Sequence, residues 1–508
     1  MLSLSHLGLG FKDQAPVVSD VTFTLEAGER LLICGPTGSG KTTLISAAAG
    51  IIPRLTPNPG YQGEVRLNGE LLENYSRDAL FSQIGVVTQN VEEQLWDLGT
   101  EDVIAFPLEN RGVARTIVRD TVRDIMERLQ LTALAGRRVL TLSGGERRMV
   151  AMAAAIAAGS QVLILDEPTT GLDPEARARL RRALDDLAAG GTAVLLADQD
   201  AAALASAVDR IALLSDGRLS DAQAPESLLS QTKPWLDAGL LAPRAPRRPR
   251  ATITPGEELL AIRNLSTVLS RADGQKILQG VDLALHAGET VAVLGRNGAG
   301  KTTLFKSLLG LLPIASGEIR LGREVATGWT TARRARRIAY VPQNMRQILF
   351  NLTVVDELLF AMTASPGNST PELRQKASEL LTHYGLHGME EANPFALSAR
   401  QQGQLGLACA EATGAHIAII DEPLLARDLK GRALLDNFIA RMRVSDRAVM
   451  VITHDLELAN DVAERMVIVG GGGIAFDGKM EAGWASDAFR QLGWEPPYGL
   501  EEQNNAAS

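Results

Sequence analysis

Cysteine is almost missing from this chain of 508 residues. The two present, Cys34 and Cys409, sit in different halves inside apolar segments. They read as buried free thiols and suit a reducing cytosol. No run of about 20 apolar residues goes unbroken, so nothing has the length of a membrane span. The nearest approach, 149–165, is rich in alanine and interrupted by Gly159, Ser160 and Gln161; it reads as a helix followed by a buried strand. The chain is expected not to cross a membrane, although it can sit on one. The N-terminus, Met1-Leu-Ser-Leu-Ser-His6, has no basic stretch ahead of an apolar core, so no signal peptide is expected. A basic excess is lacking too. The formal net charge is −9, which speaks against a surface built wholly to grip nucleic acid. What remains is 45% apolar and 22% charged, the balance of a globular protein with room for more than one core.

Against those absences stands a repeated motif. Gly35-Pro-Thr-Gly-Ser-Gly-Lys-Thr-Thr43 recurs as Gly295-Arg-Asn-Gly-Ala-Gly-Lys-Thr-Thr303. Each is a G-x-x-x-x-G-K-[ST] loop, and each follows an apolar, strand-like run. Such a loop crowds backbone N–H groups around an anion, and the helix that follows adds its dipole. The nucleotide contacts are therefore expected at Gly35, Pro36, Thr37, Gly38, Ser39, Gly40, Lys41, Thr42 and Thr43 in the first half. In the second they are expected at Gly295, Arg296, Asn297, Gly298, Ala299, Gly300, Lys301, Thr302 and Thr303. Lys41 and Lys301 should bridge the outer phosphates of ATP, while Thr42 and Thr302 should offer a hydroxyl to Mg²⁺.

Further landmarks repeat at a nearly constant offset: Gln89 with Gln343, Ser143 with Ser398, Glu167 with Glu422. This is duplication, with repeats of roughly 230 to 250 residues each, in keeping with ordinary domain sizes. Within each repeat short apolar strands alternate with helical stretches, which gives an α/β class. Residues 1–235 are read as the first domain, 236–257 as a linker, 258–495 as the second domain and 496–508 as a flexible tail. The linker concentrates proline and arginine in Ala242-Pro-Arg-Ala-Pro-Arg-Arg-Pro-Arg250, where proline removes helix donors and favours an extended, solvated chain.

The continuous apolar runs 162–165 and 417–420 suit strands buried on both faces of a parallel sheet, and each ends in Asp-Glu. Asp166 and Asp421 are placed to hold a magnesium shell. Glu167 and Glu422, one residue further on, are placed to polarise a water aimed at the γ-phosphate.

Between the phosphate loop and these acids the first repeat carries Leu142-Ser-Gly-Gly-Glu146 ahead of a helical run. The order of phosphate loop, Gln89, Leu-Ser-Gly-Gly, Asp166-Glu167-Pro168 and Gly171-Leu-Asp173 resembles the ATP-binding-cassette (ABC) ATPases over nearly the whole chain. The resemblance implies two P-loop ABC-type nucleotide-binding domains in tandem, paired head to tail within one chain. Each ATP would then lie between the phosphate loop of one domain and the signature of the other, with Ser143, Gly144 and Gly145 gripping phosphate. It also places Gln89 and Gln343 both in the magnesium shell and in the catalytic apparatus that couples nucleotide to a membrane partner. Phe11 sits where the family stacks an aromatic on adenine; Leu269 has that place in the second repeat.

The two sites are not expected to be equal. The second signature reads Leu397-Ser-Ala-Arg-Gln401, so Ser398 remains but Ala399 and Arg400 replace the glycines. The loop after Glu422 reads Leu424-Leu-Ala-Arg-Asp428 and keeps only the final aspartate of its counterpart. At the position resembling the family's switch histidine, the second repeat has His454 and the first has Gln199. Glutamine donates a hydrogen bond but carries no charge near neutral pH. Under head-to-tail pairing both departures fall on one composite site. The nucleotide of the second repeat, with Glu422, His454 and the intact signature, is therefore expected to be the one hydrolysed.

After Gln89 come Asn90-Val-Glu-Glu-Gln94-Leu-Trp96, and after Gln343 come Asn344-Met-Arg-Gln-Ile348-Leu-Phe350. These segments resemble the ATPases of energy-coupling-factor importers, which take up vitamins, vitamin precursors or transition-metal ions. That likeness implies an integral-membrane coupling protein and a separate substrate-capture membrane protein as partners, no nucleic acid, and a peripheral place on the cytoplasmic face of the membrane. Local packing of Leu95, Trp96, Leu349 and Phe350 is the plainer reading of the same residues. Fused ATPases of sugar importers, and soluble tandem ABC proteins acting on ribosomes or DNA, share the duplication and stay open as alternatives.

Overall fold

The computed structural model describes residues 1–10, 16–58, 60–89, 95–244, 256–270, 274–365, 369–497 and 500, with the side chains of Leu424 and Ala426 excepted. Two compact units emerge: Met1–Ala245 with Arg427–Leu429, and Pro246–Ala426 with Lys430–Ser508.

The first unit holds a six-stranded sheet in the order Arg218–Leu219, Arg210–Ser215, Arg30–Cys34, Ala193–Asp198, Val162–Asp166 and Ile84–Val87. All neighbours pair in parallel except the antiparallel edge strand Arg218–Leu219. Its central strands are buried along their whole length, as continuous aliphatic runs require when helices cover both faces. Each fully buried Leu, Ile or Val there contributes on the order of 1.5–3 kcal/mol. The helix after Glu167 is Pro174–Ala189, opened by the Asp173 cap and Pro174. The alanine-rich stretch resolves into the helix Gly144–Ala157 and the strand Val162–Asp166.

A second, antiparallel sheet orders Val18–Leu25, Leu2–Leu9, Gln62–Leu67 and Glu70–Leu71. In Leu2–Leu9 alternate residues Leu2 and Leu4 are buried while Ser3 and Ser5 are less so. A register shift after Leu4 then brings Leu7 and Leu9 inward. The apolar residues of this sheet share one core with the helix Lys41–Ala48 after the first phosphate loop. The fold class is thus α/β with mixed sheets, the antiparallel layer being an addition to the parallel one expected.

The second unit repeats both sheets. Its six-stranded sheet runs Ile338–Val341, Ile417–Asp421, Ala448–Ile452, Thr290–Leu294, Arg465–Gly470 and Gly473–Lys479. Its antiparallel sheet runs Val281–His286, Glu258–Thr267, Ile314–Leu321 and Glu324–Val325.

Packing extends into the segments read as linker and tail. The helix Lys233–Asp237 crosses the start of the former, Leu240 is buried, and Pro497 is buried in the latter. Residues 245–255 and 501–508 lie outside the described residues. Cys34 and Cys409 are free thiols, and burial pushes Cys34 up. No helix among the described residues is long and apolar enough to cross a membrane.

Candidate functional site: two phosphate loops with unlike surroundings

In both units the phosphate loop joins a buried strand to a helix. Gly40 and Gly300 are the N-caps of Lys41–Ala48 and Lys301–Leu308, with φ of 98° and 112°. A left-handed cap favours glycine, and neither cap offers a side chain to the helix N–H groups. Those donors stay directed into the loop, where an anion is their natural partner. Lys41 and Lys301 are buried. The Lys41 ammonium donates to Gly35 O at 2.7 Å and Pro36 O at 3.0 Å. Lys301 donates to Gly295 O and to Arg296 O. Both cations thus sit over the ring of backbone that would surround the phosphates. The expected loop residues between them, Thr37 to Ser39 and Asn297 to Ala299, lie in the same turns.

Asp166 and Asp421 close their strands, and Glu167 and Glu422 come next in the chain. In the first unit the Thr42 hydroxyl donates to Asp166 Oδ2 at 2.8 Å. Asp166 Oδ1 is buried with no protein partner among the described residues, and burial pushes its carboxyl up to about 6. A hydroxyl beside a carboxylate oxygen that lacks a protein donor suits a hydrated divalent cation. Among the described residues no group of three or more His, Cys, Asp or Glu forms a metal cage; a cation here would depend on phosphate and water for its remaining ligands.

Glu167 and Glu422 both have φ of 48°, a left-handed conformation that costs a non-glycine residue energy and is held by neighbouring structure. Both backbone N–H groups donate across the sheet, Glu167 to Ala197 O and Glu422 to Ile452 O. The side chains then meet different company. Gln89 Nε2 donates to Glu167 Oε2 at 2.9 Å, and Gln199 Nε2 donates to Oε1 at 3.1 Å and to Thr37 Oγ1 at 3.2 Å. The Thr170 hydroxyl reaches Oε2 at 3.3 Å. Neutral donors therefore occupy the first carboxylate. In the second unit His454 Nε2 lies 3.6 Å from Glu422 Oε1 and 3.5 Å from Lys301 Nζ, while Gln343 is exposed. The second carboxylate also accepts from the Thr453 hydroxyl and the His454 N–H, both at 3.3 Å.

Ser143 caps the helix Gly144–Ala157 and Ser398 caps Ala399–Ala412, each through a complete capping box, with Glu146 and Gln401 respectively. Replacing the glycines with Ala399 and Arg400 therefore leaves the helix start intact. A Cβ on Gly144 would meet nothing within 4 Å, so the glycine is not demanded by the packing of its own unit. Phe11 and 90–94 lie outside the described residues; Leu269 is exposed.

Several residues go beyond the motifs. Asp198, fully buried, accepts from Thr169 N, Thr169 Oγ1, Gln199 N and Asp200 N, and burial pushes its carboxyl up. The Arg148 guanidinium donates to Gln89 O at 3.0 Å and to Glu167 O, joining two loops of the first site. Tyr340 donates its hydroxyl to Asp421 Oδ2 at 3.0 Å, where the first unit has Val86. A carboxylate closing a strand next to Gln199, and a tyrosine in an otherwise aliphatic run, were the signals available for two of these.

The phosphate loops, the two signature segments and both Asp-Glu pairs fall within a match to known proteins. The family model described as ABC transporter matches residues 18–170 and 278–425. A Streptomyces avermitilis protein named "Putative ABC transporter ATP-binding protein" is 30% identical, over 91% of this chain and 91% of its own length. The Bacillus subtilis protein named "Putative HMP/thiamine import ATP-binding protein YkoD" is 28% identical, over 94% of this chain and 91% of its own. Among solved structures, the archaeal ribosome recycling factor aABCE1, in complex with stalk protein aP1, aligns with a TM-score of 0.63 at 21% identity. That alignment covers 94% of this chain and 90% of the other, and it speaks to fold alone. Two phosphate loops on duplicated mixed sheets, with two matches to one family model, settle the class: this chain belongs to the ABC transporter family as an ATP-binding, ATP-hydrolysing protein with two cassettes.

Proposed function

We propose that this protein powers an importer of the energy-coupling-factor type, and that its second cassette carries the main hydrolytic site. The observation that carries the importer reading is a matched pair of apolar surfaces. Downstream of Gln89, Leu95 is buried while Trp96 is 63% exposed. Downstream of Gln343, Leu349 is buried while Phe350 is 59% exposed. Each exposed ring packs edge to face on a second aromatic, Trp96 on Phe106 at 5.1 Å and Phe350 on Phe360 at 4.8 Å. The leucines pack into the cores of their units, whereas the aromatic pairs pack locally and still leave Trp96 and Phe350 largely exposed. Exposed, rigid aromatic pairs suit the anchors of a protein interface, and duplicated pairs suit a partner that meets both cassettes. The similarity to the import protein of Bacillus subtilis supports the same reading, with a vitamin, a vitamin precursor or a transition-metal ion as cargo. An integral-membrane coupling protein and a substrate-capture protein would be the partners, at the cytoplasmic face of the membrane.

For hydrolysis, Glu422 acts as the base that polarises water and His454 holds that water and the γ-phosphate. Glu167, engaged by Gln89, Gln199 and Thr170, is the poorer base. Head-to-tail pairing would bring Ser143, Gly144 and Gly145 to the second nucleotide and Ser398 to the first. Thr42 with Asp166, and Thr302 with Asp421, would hold magnesium, which when bound neutralises phosphate charge. Purification of the tagged chain from detergent-solubilised membranes tests the importer reading. A co-purifying permease supports it, and ribosomes in its place overturn it.

A further inference from the structure

The second unit has a contact around its histidine that the first does not repeat. The helix Asp487–Leu492 ends at Gly493, whose left-handed φ of 67° turns the chain, and Trp494 follows. Trp494 is buried, and its ring meets the His454 imidazole edge to face at 5.8 Å and 74°. The indole Nε1 is buried with no partner among the described residues. The contact between the two rings is therefore one of dispersion and ring electrostatics.

The same segment is fixed at two further points. Arg296, inside the second phosphate loop, donates to Leu492 O at 2.9 Å. Trp484 Nε1 donates to Asn460 Oδ1 at 3.0 Å, on the helix Leu456–Val462 that begins just after His454. Trp484 in turn packs edge to face on Phe489 at 4.9 Å. The segment thus grips the phosphate loop, the histidine and the helix behind it.

The first unit has the matching turn with different chemistry. Gly239 has φ of 78° and is followed by Leu240, in the place of Trp494, and the residue in the place of His454 is Gln199. Glutamine reaches its partners through directed amide hydrogen bonds and needs no ring wall. An imidazole turns about its side-chain torsions and must present one nitrogen to the phosphate, so a flat wall that limits ring rotation raises the share of productive orientations.

We propose that Trp494 is a positioning residue for His454, through which the C-terminal segment sets the hydrolytic rate of the second site. This rests on the reading of His454 given above. In this role Trp494 acts through the imidazole, which its ring contacts.

The test is a kinetic cycle on the full-length chain. Trp494→Leu, which installs the residue of the first unit, lowers kcat about tenfold and leaves the KM for ATP within about twofold, since a change that alters only transition-state alignment appears in kcat. Trp494→Phe keeps an aromatic edge and retains at least about half of kcat. His454→Gln lowers kcat on its own, and adding Trp494→Leu to that background changes nothing further, because the residue it serves has gone. If Trp494→Leu lowers kcat by the same factor with and without His454, or raises KM instead, the tryptophan is only a packing residue and the inference is overturned. If His454→Gln alone leaves turnover at the wild-type level, the assignment of the second site itself has failed, a distinct result.

Discussion

The Gln199 side-chain amide donates to the Glu167 carboxylate at 3.1 Å. The equivalent pair in the second cassette, His454 and Glu422, stands 3.6 Å apart with the phosphate-loop lysine also beside the imidazole. One glutamate is held by neutral amides; the other faces a group able to take up or release a proton. Removing each switch residue should therefore have unequal effects. His454→Ala is expected to lower steady-state ATP turnover about a hundredfold, the lower end of the range for loss of an acid–base or water-positioning group. Gln199→Ala should change it by less than about threefold.

The signature serines separate chemistry from folding. Both are N-caps with full capping boxes, so Ser143→Ala and Ser398→Ala should each cost about 1 kcal/mol of stability by urea titration. Turnover should differ: under head-to-tail pairing Ser143 meets the second nucleotide, and its loss should lower kcat about tenfold while Ser398→Ala stays within about twofold. Equal effects on turnover would contradict that proposed pairing.

Under the importer reading the exposed aromatics serve assembly and not chemistry. The double replacement Trp96→Ala and Phe350→Ala should abolish co-purification with a membrane partner, because buried aromatics dominate interface energetics. ATP turnover of the detergent-free chain should stay within about twofold of the wild type.

Asp198 gives a stability prediction confined to the first unit. Its carboxylate accepts from two groups of Thr169 and from the backbone of Gln199 and Asp200. Asp198→Ala leaves those donors buried without partners and should cost about 2–4 kcal/mol. The urea midpoint should fall in the first transition to unfold, while the second phosphate loop still binds a fluorescent ATP analogue.

What the sequence made legible is what the backbone itself must do. A phosphate loop needs glycine at Gly40 and Gly300 and lysine next to them, so the motif fixes the geometry. An aliphatic run ending in Asp-Glu needs only local burial, so the strands Val162–Asp166 and Ile417–Asp421 fall where expected. The antiparallel sheets were not legible, since Leu2–Leu9 pairs with Gln62–Leu67 across the whole phosphate-loop segment and its alternation is interrupted by a shifted register. Trp494 and Arg148 were hidden for the same reason. Their partners lie elsewhere in the chain, at His454 and at Gln89 with Glu167; nothing in the neighbouring residues announces them. Tyr340 stands out as the one polar-tipped residue of its strand, but its partner Asp421 lies on the neighbouring strand, far along the chain.

The most direct test of unequal cassettes is the turnover of two isosteric variants, Glu167→Gln and Glu422→Gln, measured at saturating ATP with magnesium. Glu422→Gln should lose at least about a hundredfold in kcat while Glu167→Gln keeps more than about a third of it. A larger loss from Glu167→Gln, or equal losses from both, would contradict that inequality.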